Sequence, residues 1–439
     1  MTAEDRMVTV IGGGLAGCEA AISIARRGIR VRLFEMKPLR FSPAHKMPQL
    51  AELVCSNSLG SASQSSASGL LKEEMRILGS IVMEAALATQ VPAGQAMAVD
   101  RIKFADHITK AIEDAPDIVI VREEVIQIPE KGLVIIATGP LTSDALATDI
   151  SRCIGVDSLY FYDAISPIVT SESINWDIAW KASRYGKGGD DYVNLPLDKE
   201  QYYGFVQALL EADHVPFRPF EKAHLFEGCM PIEEIAARGP ETLAHGPMKP
   251  VGLENPRTGR RPYAVVQLRA ENREGTLYNI VGFQTKLKYG EQDRIFRTIP
   301  GLENAEFARW GSLHRNTYFD ATTVLTRNQE FRFDSRLLAA GQIVGVEGYL
   351  ESSASGIIAG MCAASKINGR KFDPPPSTTI IGALLARIET STSGNYQPMN
   401  ANWGILPPPP PNIKKNDRKN WLREKSLNDL REWVRKYEV

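Results

Sequence analysis

The chain begins with apolar blocks of strand length that enclose a longer block of helical spacing. Met7 to Ile11 are apolar and partly β-branched, which predicts a buried strand. A helix of small residues is predicted to follow, running through Ala25 to a stop near Gly28. A second apolar block, Val31 to Phe34, predicts another strand. The order strand, helix, strand predicts a parallel α/β unit.

The turn after the first predicted strand matches the pattern G-x-G-x-x-G. Its residues are Gly12, Gly13, Gly14, Leu15, Ala16 and Gly17. Glycines at this spacing permit a tight turn and bring the backbone close to a pyrophosphate at the helix N-terminus. Glu35 ends the second strand about twenty residues later, where a carboxylate can hold a ribose hydroxyl. The combination predicts a dinucleotide-binding site.

Two later segments favour a flavin over a nicotinamide as the bound dinucleotide. Residues 132–140 (GLVIIATGP) form a predicted buried strand that ends at Thr138 and Gly139, a turn expected beside the adenosine. Residues 336–360 predict a strand, a turn and a helix of small residues, whose N-terminus would face the flavin pyrimidine. The residues expected at this second turn are Gly341, Gln342 and Gly348. The alternative is that both segments are ordinary buried strands of an α/β sheet.

These elements predict an α/β fold, in which a Rossmann-like FAD-binding domain is interrupted by a mixed α/β insertion. We expect the first part of the FAD-binding domain at 1–160, the insertion at 161–324 and the second part at 325–439. Within the insertion, a helix is predicted from Lys199 to Ala212, and two strands around a turn at Glu274-Gly275. An amphipathic helix is predicted from Trp421 to Tyr437 and should pack on the body of the protein.

Composition excludes several classes of protein. The chain is 43% hydrophobic and 23% charged, which is typical of a globular protein. With 439 residues it is too long for one ordinary core. Apolar runs are too short to cross a membrane, and no signal peptide is evident, so a cytoplasmic location is expected. The five cysteines include no C-x-x-C pair, which argues against a metal cluster or a vicinal redox disulfide.

A net charge of −1 gives no overall attraction for nucleic acid, so any polyanion must be held by a local patch. Two stretches are candidates, one from Arg257 to Arg273 and the other from Lys414 to Lys425. The alternative for both is an ordinary solvated charged surface.

The stretch HLFEGCMPIEEIAARG predicts a helix that begins just after Cys229. Pro231 suits the first helical position, and Glu233 and Glu234 suit the first turn. A thiol at a helix N-terminus has a lowered pKa and therefore a larger thiolate fraction. The two glutamates partly cancel this effect, and a lone cysteine is more often a small buried hydrophobe.

Several motifs together resemble the folate- and flavin-dependent tRNA uridine-5-methyltransferases, once called small Gid proteins. They are VIGGGLAGCEAA, ELVCSNSL, GLLKEEMR, FEGCMPIEE, GTLYNIVGFQTKLKYGEQDRIFR, IPGLENAEFARWG, HRNTYF, GQIVGVEGYLESSASGIIAG and YQPMNANWGILPP. The resemblance implies that a one-carbon unit passes from methylenetetrahydrofolate to C5 of a uridine in the tRNA T-loop. FAD would supply electrons, with NADPH or NADH as the reductant.

The resemblance also turns the cysteines into candidates for catalysis. A nucleophile must add to uracil C6 before C5 can react, and a thiolate does this well. Cys229 is the preferred nucleophile; Cys55 would protect it, take part in removing the C5 proton, or assist the reduction. Cys18 and Cys362 are expected to be packing residues, and Cys153 has no informative context.

The target uridine must leave the stacked T-loop, and phosphate contacts must offset that cost. Arg260, Arg261, His314 and Arg315 are the candidate tRNA contacts, although His314 suits a structural hydrogen bond equally well. No obligate protein partner is evident. The rival hypotheses are the larger flavoproteins that modify wobble uridines, a disulfide reductase, and a flavin-containing tRNA-binding protein without enzymatic activity.

Overall fold

The computed structural model describes residues 6–155, 159–187, 189–215, 230–391 and 398–437. In this part of the chain the strands are β1 (Met7–Ile11), β2 (Arg30–Phe34), β3 (Ser58–Ser61), β4 (Gln90–Val91), β5 (Ala96–Val99), β6 (Ile118–Val121), β7 (Leu133–Ile136), β8 (Leu159–Ile165), β9 (Ile168–Thr170), β10 (Trp180–Lys181), β11 (Tyr192–Leu197), β12 (Ala264–Ala270), β13 (Leu277–Ile280), β14 (Phe307–Arg309), β15 (Ser312–Tyr318), β16 (Glu330–Phe331) and β17 (Asp334–Ala339). The helices are α1 (Leu15–Ala25), α2 (Ala67–Ile77), α3 (Ile81–Ala88), α4 (Arg101–Glu113), α5 (Asp144–Ile154), α6 (Lys199–Glu211), α7 (Ile232–Ala237), α8 (Thr242–His245), α9 (Tyr289–Phe296), α10 (Ala321–Val324), α11 (Tyr349–Ile367), α12 (Ile380–Thr390) and α13 (Arg418–Val434).

The first sheet has the strand order β16-β17-β7-β1-β2-β6. All neighbours pair in parallel except the edge strand β16, which pairs antiparallel with β17. Val8 of β1 aligns with Val31 on one side and with Leu133 on the other. β7 is buried along its whole length, as expected for a parallel strand covered on both faces. This sheet confirms the predicted α/β, Rossmann-like fold, and its strands come from two separate parts of the chain, residues 7–136 and 330–339.

The small residues of α11 are explained by its packing against α1. An added Cβ at Gly356 would lie 2.1 Å from the carbonyl oxygen of Ala16, and one at Gly360 would lie 2.7 Å from that of Ala20. Any larger side chain would therefore push the two helices apart. The close contact fixes the N-terminus of α11 next to the turn that follows β1.

The second sheet is antiparallel and has the order β10-β11-β12-β13-β9-β14. Helix α6 begins after a capping box between Asp198 and Gln201, which explains why it starts at Lys199. Gly275 has a φ of 67° and turns the chain between β12 and β13. The sheet and its helices enclose a hydrophobic core separate from that of the first sheet. The domain boundaries predicted at 160 and 324 stay a prediction.

The last described helix, α13, packs on the core of the first sheet. Leu427, Leu430 and Trp433 are buried there, and Trp433 Nε1 donates to the carbonyl of Asp373. Ser426 donates to the buried carboxylate of Glu74 on α2. Among the described helices, none combines the length and the apolar character that a bilayer crossing requires.

Candidate active site

A first cavity of about 1030 Å³ opens at the carboxyl ends of β1 and β7, where the strand order of the first sheet reverses. Such a switch point is the usual ligand site of an open α/β sheet. Its lining includes the sequence-predicted residues Gly12, Gly13, Gly14, Leu15, Ala16, Glu35, Thr138, Gly139, Gly341 and Gln342. The tertiary structure therefore brings together residues that are far apart in the chain.

The turn after β1 has the geometry of a phosphate cradle. Gly12 adopts a φ of 105°, and a Cβ there would lie 2.6 Å from the carbonyl oxygen of Ala137. Gly14 is the N-cap of α1 and contributes no side-chain hydrogen bond to the first amides of the helix. A Cβ at Gly14 would meet no protein atom within 4 Å. The start of α1 can therefore accept an anion at its free amides.

Glu35 is held rigidly at the end of β2. Its two carboxylate oxygens accept hydrogen bonds from the backbone N–H groups of Gly13 and Lys37, each at 2.9 Å. The residue is buried and lines the first cavity. A carboxylate at the end of β2, next to the glycine turn that would hold the phosphates, can accept a hydrogen bond from a ribose hydroxyl. The residues of the cavity thus fit a dinucleotide.

Two of the predicted cofactor residues lie outside the first cavity. A Cβ at Gly17 would lie only 1.8 Å from the carbonyl oxygen of Gly12, so Gly17 lets α1 pack against the turn. Gly348 is the N-cap of α11, with a φ of 109°, and lines a second cavity.

The second cavity, of about 1170 Å³, continues directly from the first. Five residues line both: Val54, Pro140, Leu141, Gln342 and Tyr349. Cys55 lies in the second cavity and is half-buried. A long ligand in the first cavity can therefore extend to the sulfur of Cys55.

Tyr349, the first residue of α11, holds Cys55 in place. Its phenol oxygen accepts hydrogen bonds from the N–H groups of Cys55 (2.9 Å) and Ser56 (3.3 Å) and lies 3.0 Å from Cys55 Sγ. Because these two N–H groups bond to the lone pairs of the phenol oxygen, the phenol O–H is available to donate to the sulfur of Cys55. Burial, followed by the charge of Cys55, raises the pKa of Tyr349 well above its ordinary value, so the phenol keeps this proton. The arrangement favours Cys55 as an acceptor, as in a thiolate.

Arg101 supports the same segment from α4. Its Nη1 donates to the carbonyl of Leu53, and its guanidinium forms a buried ion pair, at 2.9 Å, with Glu271 in the loop after β12. Burial alone would lower the pKa of Arg101, but the electrostatic interaction with Glu271, supported by Tyr349 and Cys55, holds it above its ordinary value. The positive charge of Arg101 therefore persists near Cys55.

Arg269 of β12 is the second buried arginine that interacts electrostatically with Cys55. It donates to Asn57 Oδ1 at 3.0 Å and to Ser56 Oγ at 2.8 Å. Burial lowers its pKa from the ordinary value, yet a guanidinium keeps its charge in proteins. Positive charge near a thiol stabilises the thiolate. Cys55 thus lies in the electropositive, partly accessible surroundings expected for a reactive cysteine.

Cys229 lies outside the described residues, which resume at Met230. Helix α7 starts at Ile232, so Pro231 is the cap residue before the helix rather than its first residue. The extended backbone of Pro231 lets the N–H of Ile232 bond to the carbonyl of Gln284 at 2.7 Å. The two predicted glutamates do lie in the first turn.

Glu233 connects this helix to the second cavity. Its buried carboxylate accepts hydrogen bonds from Thr285 Oγ1 at 3.0 Å and from the N–H of Lys286 at 2.7 Å, while burial raises its pKa. Thr285 forms a β-bridge with Ile165, which lines the second cavity. The segment that follows Cys229 is therefore anchored to the wall of this cavity.

The other described cysteines are placed differently. Cys18 is fully buried in α1, and burial raises its pKa far above the ordinary value. Cys362 is fully buried in α11, and burial raises its pKa to about 12. Cys153 is half-buried in the last turn of α5. The first two are therefore packing residues that stay protonated.

The predicted tRNA contacts are not gathered around Cys55. Arg260 and Arg261 are exposed in the turn before β12, whose far end, Ala270, accepts a hydrogen bond from Asn57 Nδ2. A strand of the length of β12 covers roughly 20 Å. Arg260 and Arg261 lie at one end of this strand and the segment of Cys55 at the other, so the strand separates them. His314 and Arg315 lie in β15, where their backbones align with Asp163 and Tyr162 of β8, and their side chains are outside the described set.

Tyr349 and Arg101 were missed by the sequence reasoning. Tyr349 directly follows Gly348, so its position at the start of a helix beside the cofactor turn was a usable signal. Arg101 had no such signal, because its ion-pair partner Glu271 is distant in the chain. Tyr349 acts on Cys55 by hydrogen bonds and Arg101 by its charge, and both come close to Cys55 only in the folded protein.

The comparisons with known proteins agree with this geometry. A family model described as "Glucose inhibited division protein A" matches residues 7–371. The Methylenetetrahydrofolate--tRNA-(uracil-5-)-methyltransferase TrmFO of Geobacter sulfurreducens is 58% identical over 428 residues, covering 97% of this chain and 98% of that protein. The protein of the same name from Natranaerobius thermophilus is 53% identical over 427 residues, covering 97% of this chain and 99% of that protein.

Among solved structures, Aquifex aeolicus GidA in its form II crystal has a TM-score of 0.73 with 17% sequence identity, covering 100% of this chain and 74% of that chain. At this identity the likeness shows the fold alone. The curated relatives share more than half of their residues with this chain over nearly the whole length of both. The chain therefore belongs to the GidA family and, within it, to the family of Methylenetetrahydrofolate--tRNA-(uracil-5-)-methyltransferase TrmFO proteins.

Proposed function

We propose that this protein transfers the one-carbon unit of methylenetetrahydrofolate to C5 of a uridine in the T-loop of tRNA, giving 5-methyluridine. The observation that carries the proposal is the reactive surroundings of Cys55 in a cavity that continues from the dinucleotide groove. A thiol in a cavity next to the one that would hold the flavin could take part in the covalent and proton-transfer chemistry of a uracil bound there. The names of the relatives, at 53–58% identity, supply the substrate class.

The dinucleotide is FAD, held by the first cavity. The phosphates fit the amides at the start of α1, and the carboxylate of Glu35 fits the ribose. Gly341 and Gln342 lie where the turn after β17 meets the second cavity. When bound and reduced by NADPH or NADH, FAD supplies the electrons that convert the transferred carbon into a methyl group.

Cys55 acts on the target base from within the second cavity. The phenol of Tyr349 and the charges of Arg101 and Arg269 stabilise its thiolate. A thiolate in this position can accept the proton that leaves C5 of the uracil, and it becomes a thiol in doing so. This is one of the three roles that the sequence left open for Cys55.

Cys229 is the proposed nucleophile. Four residues of extended chain cover at most about 14 Å, and Glu233 is tied through Thr285 to the wall of the second cavity. This anchor supports a position for Cys229 within reach of a base in that cavity. Addition of its thiolate to C6 converts the C5–C6 double bond and the C4 carbonyl of the uracil into an enolate, which makes C5 nucleophilic.

The tRNA presents its T-arm with the target base extruded. The second cavity has room for a base and a stacked folate ring, and its open side admits RNA. Arg260, Arg261, His314 and Arg315 remain proposed contacts to the phosphate backbone. The proposed substrate also places the protein in the cytoplasm.

Purified protein incubated with methylenetetrahydrofolate, NADPH and a T-arm transcript should be yellow and should form 5-methyluridine, detected by nucleoside mass spectrometry. Omission of the folate should abolish the product. A yellow protein that binds the transcript but forms no 5-methyluridine would reject the enzymatic proposal. Modification of the wobble uridine of a full tRNA instead would favour the larger flavoproteins.

The division of labour between the cysteines can be tested with a T-arm that contains 5-fluorouracil. Fluorine cannot leave C5 as a proton does, so the covalent adduct with the nucleophile should persist. A Cys55→Ser variant should form this adduct while failing to turn over ordinary uridine, whereas a Cys229→Ser variant should form none. Peptide mapping of the adduct to residue 55 would reverse the two roles.

A further inference from the structure

The segment around α13 is strongly basic in a chain whose net charge is −1. Residues 411–437 contain nine Lys and Arg against four Asp and Glu. We call the residues from Lys414 to Lys436 the basic segment. This excess of positive charge has no part in the site described above.

Most of the charge of the basic segment faces solvent. Within the described part of the chain, its ion pairs are those of Arg423 with Glu73 and Lys425 with Asp429. The apolar side of α13 is buried against the core, so its polar side is turned outward. Apart from Lys425, which is exposed and paired with Asp429, the exposed basic residues are Lys414, Lys415, Arg418, Lys419, Arg431, Arg435 and Lys436.

The basic segment is fixed beside the second cavity. Arg423 binds both carboxylate oxygens of Glu73, at 2.8 and 2.6 Å, and Ser426 bonds to the adjacent Glu74. Both glutamates lie on α2, whose first turn contributes Ser68 to the lining of the second cavity. Five residues of helix separate Ser68 from Glu73, which is about 7.5 Å.

We propose that the basic segment binds the phosphate backbone of the double-helical RNA that carries the target loop. The inference rests on the proposed function, because it assumes that RNA reaches the second cavity. Lysines and arginines on α13 and in the turn directly before it supply positive charges that hold a phosphate backbone without reading its sequence. With 17 residues, α13 extends for about 25 Å and can follow the RNA away from the cavity. Its contacts offset the cost of extruding the base.

The test compares two variants that lose the same charge. The first replaces Lys414, Lys415 and Lys419 by Gln. The control replaces Lys110, Lys131 and Arg332 by Gln; these exposed residues lie at the end of α4, before β7 and before β17, near the amino edge of the first sheet. That edge is opposite the one where the cavities open.

Binding of a T-arm hairpin is measured between 50 and 200 mM KCl for the wild type and for both variants. Loss of three phosphate contacts should reduce the slope of log K against log salt by about two to three, and weaken binding roughly tenfold at the middle of this range. In the methylation assay KM should rise with kcat unchanged, because the segment does not touch the reacting atoms. The control should match the wild type in all three measurements, and flavin absorbance should be equal in all three proteins.

The inference is overturned if the two variants show the same salt slope, since the effect would then be one of net charge alone. It is also overturned if the first variant changes kcat with an unaltered slope. Failure of the proposed function has a different result, namely a wild-type protein that forms no 5-methyluridine. In that case the salt slopes still decide whether the basic segment binds RNA.

Discussion

The hydroxyl of Tyr349 provides a direct test of how the protein activates Cys55. A Tyr349→Phe substitution keeps the ring that borders both cavities and removes only the oxygen. The N–H groups of Cys55 and Ser56 lose their acceptor, and Cys55 Sγ loses a partner 3.0 Å away. Water can enter from the open cavities, so the amides are partly compensated and the fold should persist.

The expected magnitude follows from the hydrogen bond to the sulfur. A hydrogen bond to a charged group contributes about 1.5–3 kcal/mol, and each 1.36 kcal/mol corresponds to one pKa unit. If the phenol stabilises the thiolate and not the thiol, its removal should raise the pKa of Cys55 by about one to two units. The burial of Arg101 and Arg269 is unchanged, so their contribution remains.

The assay is the rate of alkylation of Cys55 by iodoacetamide as a function of pH, followed by peptide mass spectrometry. A background that carries Cys229→Ser and Cys153→Ser removes competing thiols, since Cys18 and Cys362 are buried. The midpoint should shift upward in the variant. Tyr437→Phe is the matched control, because the Tyr437 hydroxyl bonds to Asp373, away from both cavities.

An unchanged or lowered midpoint in Tyr349→Phe would refute the reasoning, since the phenol would then favour the thiol or neither form. A shift of equal size in Tyr437→Phe would indicate a general effect of the substitution on the fold. Flavin absorbance measured alongside would show whether the first cavity is intact.

Three further predictions concern cofactor binding and stability. A Gly17→Ala substitution places a Cβ 1.8 Å from the carbonyl oxygen of Gly12, so the purified variant should lack flavin absorbance; full flavin content would contradict this packing. Burial raises the pKa of Glu74 to about 7, so the folded chain keeps a proton that the unfolded chain releases near pH 4.5, and Glu74 alone should contribute up to about 3 kcal/mol of stability at pH 4.5 that is lost at pH 8. In urea unfolding, the stability difference between these two pH values should therefore be smaller by about this amount in Glu74→Gln than in the wild type, while the part contributed by buried Glu19, whose pKa is also raised to about 7, should remain; an unchanged difference would contradict the prediction. Replacing Arg101 by Met leaves Glu271 buried without its cation and should cost about 3–5 kcal/mol of unfolding free energy, whereas the double variant with Glu271→Met should recover most of that loss; equal losses would show that the ion pair is not coupled.

Most of the first sheet could be predicted from the sequence because its elements are local and periodic. β1 and α1 end at the residues where the apolar pattern and the glycines place them, Ile11 and Ala25. The same holds for α6, where the capping box fixes the start. The start of α7 differed by one residue, since the N–H of Ile232 bonds to a carbonyl that is distant in the chain. The local sequence pattern thus predicts which helices and strands form better than it predicts the contacts at their ends.

The surroundings of Cys55 could not be predicted, because every partner comes from another part of the chain. Tyr349 lies 294 residues away and Arg269 reaches Ser56 across 213 residues. Polar contacts of this kind leave no hydrophobic period, so neither spacing nor composition points to them. The pair Arg260 and Arg261 shows a related limit: the two residues are adjacent in sequence, but only the fold shows that β12 separates them from Cys55, and their contact with tRNA stays a prediction.

The contacts of the Cys55 segment also indicate why the insertion matters for chemistry at the flavin. Asn57 donates to the carbonyl of Ala270 in β12, and its own side-chain oxygen accepts from Arg269. The second sheet therefore holds one side of the segment, while Tyr349 of α11 holds the other. Because the thiol is clamped between them, a shift of the second sheet would move Cys55 relative to the dinucleotide groove. A sulfur positioned in this way by hydrogen bonds and positive charge is suited to accept and release a proton at a fixed point beside a bound base.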